Sequence, residues 1–350
     1  MKITFATFGT RGDTEPFRII ADVLVDRGHE VLILTDEQNI EDFSCTKANV
    51  EGVVDSKETK NEAFRAIQNL SPQHSSDKIE ELWIGPTINK FNSKLIVPSC
   101  DVLVVHQFLR RWTAKNANQA MRKYIFMNSP LSNVSIQEFQ SIGTETLVGI
   151  SPYMFPYRDL PQNISLIGFI LPKQSTSAKQ VKREAFSDPQ LPTYLYCGGT
   201  CENNLNNVLA NIETLANFPI NWAIQTKNSA KDLPNVKFVK STDHMNLIPN
   251  ADLVIHNGGI GTMAKIVSLG IPNICAPQFG VQEGNAKCLF MHGVSPGTWC
   301  IDEPIDAFYR IIGKSLEQLA QLNKNANDLR CDLASESGLN EFIDTIERKI

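Results

Sequence analysis

The sequence predicts an α/β protein of two domains, each with a parallel sheet whose strands are joined by helices. Three observations carry this. The chain has 350 residues, more than a single hydrophobic core usually serves. Both halves share one rhythm, in which short apolar runs alternate with stretches of helical period. In each half one apolar run leads straight into a glycine-containing turn and then a helix, at Gly9 to Pro16 and at His256 to Thr262.

Composition narrows the class. With 42% hydrophobic and 20% charged residues the chain reads as a soluble globular protein. A net charge of −5 without a basic stripe argues against nucleic acid as a partner. The opening MKITFATFGT has too short an apolar run for a signal peptide, and no stretch approaches the roughly 20 apolar residues that span a bilayer. The eight cysteines are scattered, without C-x-x-C or metal-ligand spacing. They read as reduced thiols in a cytoplasmic protein with no metal.

The first half opens with a buried strand, Lys2 to Thr7, and a tight loop, GTRGDTEP, from Gly9 to Pro16. Phe17 to Arg27 then reads as an amphipathic helix, with Pro16 at its start and Gly28 past its end. Glu30 to Thr35 completes a βαβ unit. Within the loop, Asp13 suits a helix cap as well as a chemical role, and Arg11 is expected to order the loop by pairing with a carboxylate.

Asp36 to Leu95 carries the weakest pattern. Val50 to Val54 reads as a strand; Asn61 to Leu70 and Asp77 to Leu95 have helical period, the latter broken at Gly85-Pro86. Trp83, Phe91 and Trp112 suit either an apolar pocket or the core. Asp101 to His106 is a strong strand. Parallel strands present their C-terminal ends together, so His106 should reach the sheet edge that carries Asp13. It could pair with Asp13, contact a substrate, or serve a structural role. Trp112 to Arg122 reads as a helix; Lys123 to Met127, Thr146 to Ile150 and Asn163 to Gly168 read as strands. The polar stretch Lys173 to Lys182 reads as a linker.

In the second half, strands are expected at Pro192 to Cys197, Asn221 to Thr226, Val236 to Val239, Asp252 to Ile255 and Asn273 to Ala276. Helices are expected at Asn203 to Asn217, Met263 to Leu269, Asp306 to Leu319 and Asn325 to Leu333, with a last helix reaching Ile350. The turn from His256 to Thr262 reads as an anion site. Glycines let a ligand approach the backbone closely, and the first N–H groups of the following helix are unpaired at the positive end of its dipole. Pro277 to Asn285 reads as a loop.

The stretch HNGGIGTMAKIVSLGIPNICAPQFGVQEGN resembles the donor-binding segment of the family-1 glycosyltransferases of GT-B fold, in the branch of the sterol glucosyltransferases and the vancomycin-group antibiotic glycosyltransferases. His256, Gly258, Gly259, Gly261, Thr262, Gly270, Pro272, Pro277, Gln278 and Gln282 match that family's pattern in order. The GTRGD loop resembles the acceptor-facing loop of the same branch. The resemblance implies two Rossmann-like domains facing across a cleft: residues 1–172 for the acceptor, 183–333 for the nucleotide sugar, and 334–350 as a helix packing back on the first domain. It implies Asp13 as general base, with His106 beside it as a second catalytic candidate. It implies a donor site of Gly12, Gly199, Thr200, Thr242, His244, His256, Gly258, Gly259, Gly261, Thr262, Gln278, Gln282 and Asn285. The donor would be a UDP- or dTDP-sugar, with no cofactor or metal. The acceptor would be a hydrophobic small molecule, bringing peripheral membrane contact if it is a lipid, and the protein a monomer or homodimer.

Val281 departs from the pattern, which has an acid there to hold sugar hydroxyls. A valine cannot hold a hydroxyl, so a deoxysugar or an N-acetylated sugar becomes the expected donor. Two other classes remain open at this stage: a GT-B protein that has lost catalysis and acts as a binding or activating partner, and a sugar-nucleotide epimerase. Donor hydrolysis would separate the first from a transferase, and an epimeric product would indicate the second.

Overall fold

The fold comes from a computed structural model, which describes residues 1–67, 70–111, 120–172, 186–198, 203–226, 233–239, 247–300 and 302–348. The chain forms two compact units. The first comprises Met1–Ile67, Asp77–Pro172 and Ser335–Ile350; the second comprises Gln68–Ser76 and Lys173–Ala334.

The first unit holds a seven-stranded parallel sheet of β1 (Lys2–Ala6), β2 (Glu30–Asp36), β3 (Asn49–Val54), β4 (Cys100–His106), β5 (Ala120–Met127), β6 (Glu145–Val148) and β7 (Ile164–Leu166). Its order is β3-β2-β1-β4-β5-β6-β7. The order reverses between β1 and β4, which pair in parallel from Ile3↔Val102 to Ala6↔Val105. In sheets of this type ligands bind beyond the carboxyl ends of the strands at that reversal. The central strands β1, β2 and β4 are buried on nearly every residue, as strands covered on both faces are.

Helix α1 spans Arg11–Asp26, six residues longer at its start than the sequence pattern suggests. Pro16 therefore lies inside the helix rather than at its head. The helix starts at Thr10 because Thr10 and Asp13 form a capping box, in which the third helical residue reaches back to the cap. Its apolar face (Phe17, Ile20, Ala21, Leu24) packs on Phe5, Val104 and Phe126. Helices α2 (Lys57–Ala66), α3 (Pro72–Ile79), α4 (Gly85–Lys94) and α5 (Asn133–Ile142) follow. The expected break at Gly85-Pro86 is absent. A π-turn, Glu80–Ile84, carries the helix through it, with the Gly85 N–H bonding the Glu80 carbonyl five residues back. Residues 120–122, expected as the end of a helix, belong to β5; the rest of that expected helix, including Trp112, lies outside the described residues.

The C-terminal helix Gly338–Glu347 buries Phe342, Ile343 and Ile346 in the same core as Phe126 and Leu147. The Phe126 and Phe342 rings meet edge to face at 5.5 Å. Glu347 accepts hydrogen bonds from Arg27 (2.7 Å) and pairs with His29 (2.8 Å).

The second unit holds β8 (Thr193–Cys197), β9 (Asn221–Gln225), β10 (Val236–Val239), β11 (Leu253–His256) and β12 (Asn273–Cys275), in the order β10-β9-β8-β11-β12 and all parallel. Its reversal lies between β8 and β11. Alternate residues face two cores. Tyr194, Tyr196, Trp222, Ile224, Leu253 and Ile255 form one; Leu195, Cys197, Ala223 and Val254 face the other. Helix α6 (Asn203–Ala210) breaks at Asn211 before the single-turn α7 (Ile212–Leu215). Helices α8 (Ile260–Leu269), α9 (Gly280–Met291) and α10 (Ile305–Asp332) follow. Two expectations change here. Residues 280–285 are helical rather than loop, and the two helices expected between Asp306 and Leu333 are one continuous helix. The described cysteines are free thiols. Among the described residues no helix is long and apolar enough to cross a membrane.

Candidate functional site

Two clusters sit at the two sheet reversals. In the first unit the loop after β1 leads into α1, and Asp13 is the third residue of that helix. Its Oδ2 accepts hydrogen bonds from the Thr10 backbone N–H (2.8 Å) and the Thr10 hydroxyl (2.9 Å). Its Oδ1 lies 3.5 Å from Nε2 of His106, the last residue of β4, whose side chain is fully buried. The cap and the pairing thus coexist on one carboxylate, an oxygen for each. Nδ1 of His106 accepts from the Phe108 N–H (3.4 Å), so the neutral ring carries its proton on Nε2, facing Asp13.

Burial alone would raise the Asp13 pKa, but the His106 ring beside Oδ1 and the bonds from Thr10 hold it below the ordinary carboxylate value. Gly9 is glycine because of Asp13. Its φ is 138°, and a Cβ there would lie 2.5 Å from Asp13 Oδ2. The Asn39 amide braces the same loop, donating to the Gly9 carbonyl (3.0 Å) and to Asp42 (2.9 Å). Thr14 also donates to Asp42 (3.2 Å). Lys60 packs over the Trp83 ring at 4.9 Å with Nζ 3.5 Å from the Gly9 carbonyl, and burial lowers its pKa.

Trp83 and Phe91 are buried. They are core residues, with the Trp83 indole donating to Ser56 and Phe91 stacked on Phe8. Arg11 is exposed and lies 3.9 Å from Glu15. The Gly12 carbonyl accepts from the Asn128 amide (3.2 Å).

In the second unit β11 ends at His256, buried to 1% exposure. Its Nδ1 accepts from the Gly258 N–H (3.1 Å). Gly258 has φ 81°, and a Cβ there would lie 2.5 Å from Cys275 Sγ and 3.1 Å from the Gln282 carbonyl, so glycine is required. Gly259 is the N-cap of α8 and supplies no side-chain hydrogen bond. Added Cβ atoms at Gly259 and Gly261 would meet no atom of the described residues within 4 Å, and a helix N-terminus of this kind suits an anion. Gly261 and Thr262 lie within the first turn of α8 rather than in the turn before it.

Gln282 and Asn285 lie on α9. Gln282 Oε1 accepts from the backbone N–H groups of Gln278 (2.7 Å) and Phe279 (3.2 Å), as a helix cap. Asn285 donates to the Gly258 carbonyl (2.8 Å) and so buttresses the turn from behind. Gln278 is buried and Val281 is half exposed. Gly199, Thr200, Thr242 and His244 lie outside the described residues.

Besides Asn128, the contributors Asn257, Asn39 and Ser76 were not legible in the sequence. The amide of Asn257 donates to the Gly198 carbonyl, tying the ends of β11 and β8 together. Asn39 is one contact pair in the three-dimensional loop with no local signal. Ser76, from the segment of the first half that joins the second unit, accepts from the Gly280 N–H (2.8 Å) at the start of α9. Among the described residues no group of three or more His, Cys, Asp or Glu is placed to hold a metal ion.

No protein-family model matches the sequence, and comparison with curated proteins finds no match. Solved structures do match in fold. The kitacinnamycin glycotransferase superposes with a TM-score of 0.75 at 16% identity, over 99% of this chain and 98% of that one. The spinosyn rhamnosyltransferase SpnG gives 0.69 at 16% identity, over 99% and 100%. The glycosyltransferase SsfS6 of Streptomyces sp. SF2575 gives 0.66 at 14%, over 99% and 100%. SpnG has been solved with thymidine diphosphate and with the spinosyn aglycone. With two parallel sheets of reversed order and full-length superposition on these enzymes, the chain has the GT-B fold.

Proposed function

We propose that the protein is a metal-independent, inverting glycosyltransferase that moves a sugar from a dTDP- or UDP-sugar to a hydroxyl of a hydrophobic small molecule. The observation that carries this reading is the division of labour on Asp13. Oδ2 is held by Thr10, while Oδ1 is backed by a buried histidine and kept ionised. A weak hydroxyl nucleophile needs such a base, which contributes about 10²- to 10⁴-fold.

In the proposed step the acceptor oxygen attacks the anomeric carbon from the face opposite the leaving group. Its proton passes to Asp13 Oδ1 as the bond from the anomeric carbon to the diphosphate oxygen breaks. The bond electrons leave with the diphosphate. Charge grows on that diphosphate in the transition state. The N–H groups at the start of α8, with His256 beside them, are suited to stabilise it. A nucleoside diphosphate on SpnG agrees with this reading.

Val281 favours a donor lacking a hydroxyl, since it offers no hydrogen bond at the position where the resembling family reads the sugar. The test is transfer from dTDP-rhamnose, dTDP-glucose and UDP-glucose to 4-methylumbelliferone, followed by product stereochemistry. A β-linked product from an α-linked donor supports the reading. Retention of configuration, or an epimerised nucleotide sugar without transfer, contradicts it.

A further inference from the structure

We infer that Asn128 is a positioning residue for Asp13, holding the peptide plane from which Asp13 springs. The inference rests on the reading of Asp13 as the base and deepens it.

Pro16 lies inside α1 and has no N–H. In a regular helix the N–H at position 16 would bond the carbonyl four residues back, that of Gly12. That carbonyl is therefore left without its helical donor, one residue before Asp13. Asn128, just beyond the end of β5, donates its side-chain amide to Gly12 O at 3.2 Å. The Gly12 carbonyl and the Asp13 N–H belong to one planar peptide group, and this N–H in turn donates to Thr10 O at 2.9 Å. The plane is thus pinned at both ends, from the helix cap and from the neighbouring strand end.

Gly12 is exposed and has no side chain of its own to fix it. Gly149 lies beside this pair, where the Phe126 ring leaves no space for a Cβ. A Cβ there would lie 2.9 Å from the Phe126 ring and 3.4 Å from Asn128 Oδ1. Proline removes one hydrogen bond from the helix, and asparagine restores it from a different element. The effect is to register α1, and so the Asp13 carboxylate, against β4 and β5, where His106 sits.

The test is a cycle of Asn128→Ala, Pro16→Ala and the double variant, with Asn128→Asp as the near-isosteric form that cannot donate. Two readouts are used. The first is the Asp13 titration by ¹³C NMR of aspartate-labelled protein, which needs no substrate. The second is transfer from dTDP-rhamnose to 4-methylumbelliferone.

With Asn128→Ala and Asn128→Asp the Asp13 pKa should rise as the carboxylate swings away from His106. Turnover should fall roughly tenfold, within the loss that a 1 Å misplacement can cause, with the acceptor KM within about twofold by the same argument. In Pro16→Ala/Asn128→Ala the new N–H at position 16 should bond Gly12 and bring both readouts back to those of Pro16→Ala. An unchanged Asp13 titration in Asn128→Ala overturns the inference. So does a double variant no better than Asn128→Ala, or a raised acceptor KM at unchanged turnover, which would make Asn128 a substrate contact. Full turnover in Asp13→Asn would instead sink the reading of Asp13 as base, while the NMR arm would still report on positioning.

Discussion

Asp13 Oδ1 stands 3.5 Å from Nε2 of His106, and the two come from helix and strand ends on either side of the point where the first sheet reverses its order. The other oxygen, Oδ2, is occupied by Thr10. On the proposed function one carboxylate has a structural oxygen and a chemical oxygen, and substitutions should separate them.

Asp13→Asn keeps a carbonyl oxygen able to accept from Thr10 but gives up the stabilisation of the ionised carboxylate, so it should lose less stability than Asp13→Ala. Asp13→Ala loses the capping contact and should lose about 1 kcal/mol of stability. Both should lose about 10²- to 10⁴-fold in turnover. Thermal denaturation and steady-state kinetics of the pair check this; turnover that followed stability would mean Asp13 only caps the helix.

The pH dependence has a fixed sign. Asp13 is held below its ordinary pKa, so it adds stability above its unfolded value, and that contribution is lost as pH falls through the folded value. The acid limb of kcat/KM should therefore lie below the ordinary carboxylate range. His106→Ala removes a lowering influence while the burial that raises the pKa remains, so the limb should move to higher pH and the deficit should deepen on acidification. A profile of wild-type shape and position in His106→Ala would remove His106 from the mechanism.

Gly258 is fixed by φ 81° and by the Sγ of Cys275 behind it. Gly258→Ala should cost about 1–3 kcal/mol from backbone strain and distort the turn that His256 and Asn285 hold. Gly259→Ala meets no described residue within 4 Å and should leave the fold intact. Differential scanning calorimetry distinguishes them; equal stability of the two variants would contradict the assignment.

Val281 is half exposed on the first turn of α9. Val281→Asp should move donor preference toward sugars with a full set of hydroxyls, by tenfold or more if a hydroxyl gains a hydrogen bond. An unchanged ratio of kcat/KM for dTDP-glucose over dTDP-rhamnose would show that this position does not read the sugar.

The βαβ rhythm and the two glycine turns were legible because a parallel sheet buried on both faces leaves long apolar runs bounded by breakers. Helix starts were less so. Pro16 looked like a helix head, yet the Thr10–Asp13 capping box placed the start earlier. Pro277 to Asn285 reads as a loop in the sequence, whereas the Gln282 side chain caps a helix that begins at Gly280. Asp306 to Leu319 and Asn325 to Leu333 read as two helices, but α10 runs through both, and Asn325 donates to the Gly293 carbonyl.

In the candidate site Asp13, His106, His256 and the glycines carried local signals. Asn39, Asn128 and Asn257 carried none, because each acts on a backbone carbonyl far away in sequence: Gly9, Gly12 and Gly198. Such bonds are set by topology, and only the folded chain reveals them.

The most direct test of the account is the thermal shift produced by dTDP, UDP and GDP in the wild type and in His256→Ala. A ligand that binds only the folded state raises stability by about 2.7 kcal/mol at a hundredfold excess over its Kd. The account predicts a clear upward shift with dTDP or UDP that His256→Ala abolishes or greatly reduces. No shift with any of the three nucleotides, or a shift that survives His256→Ala undiminished, would contradict the placement of a nucleotide-sugar site on the turn after β11.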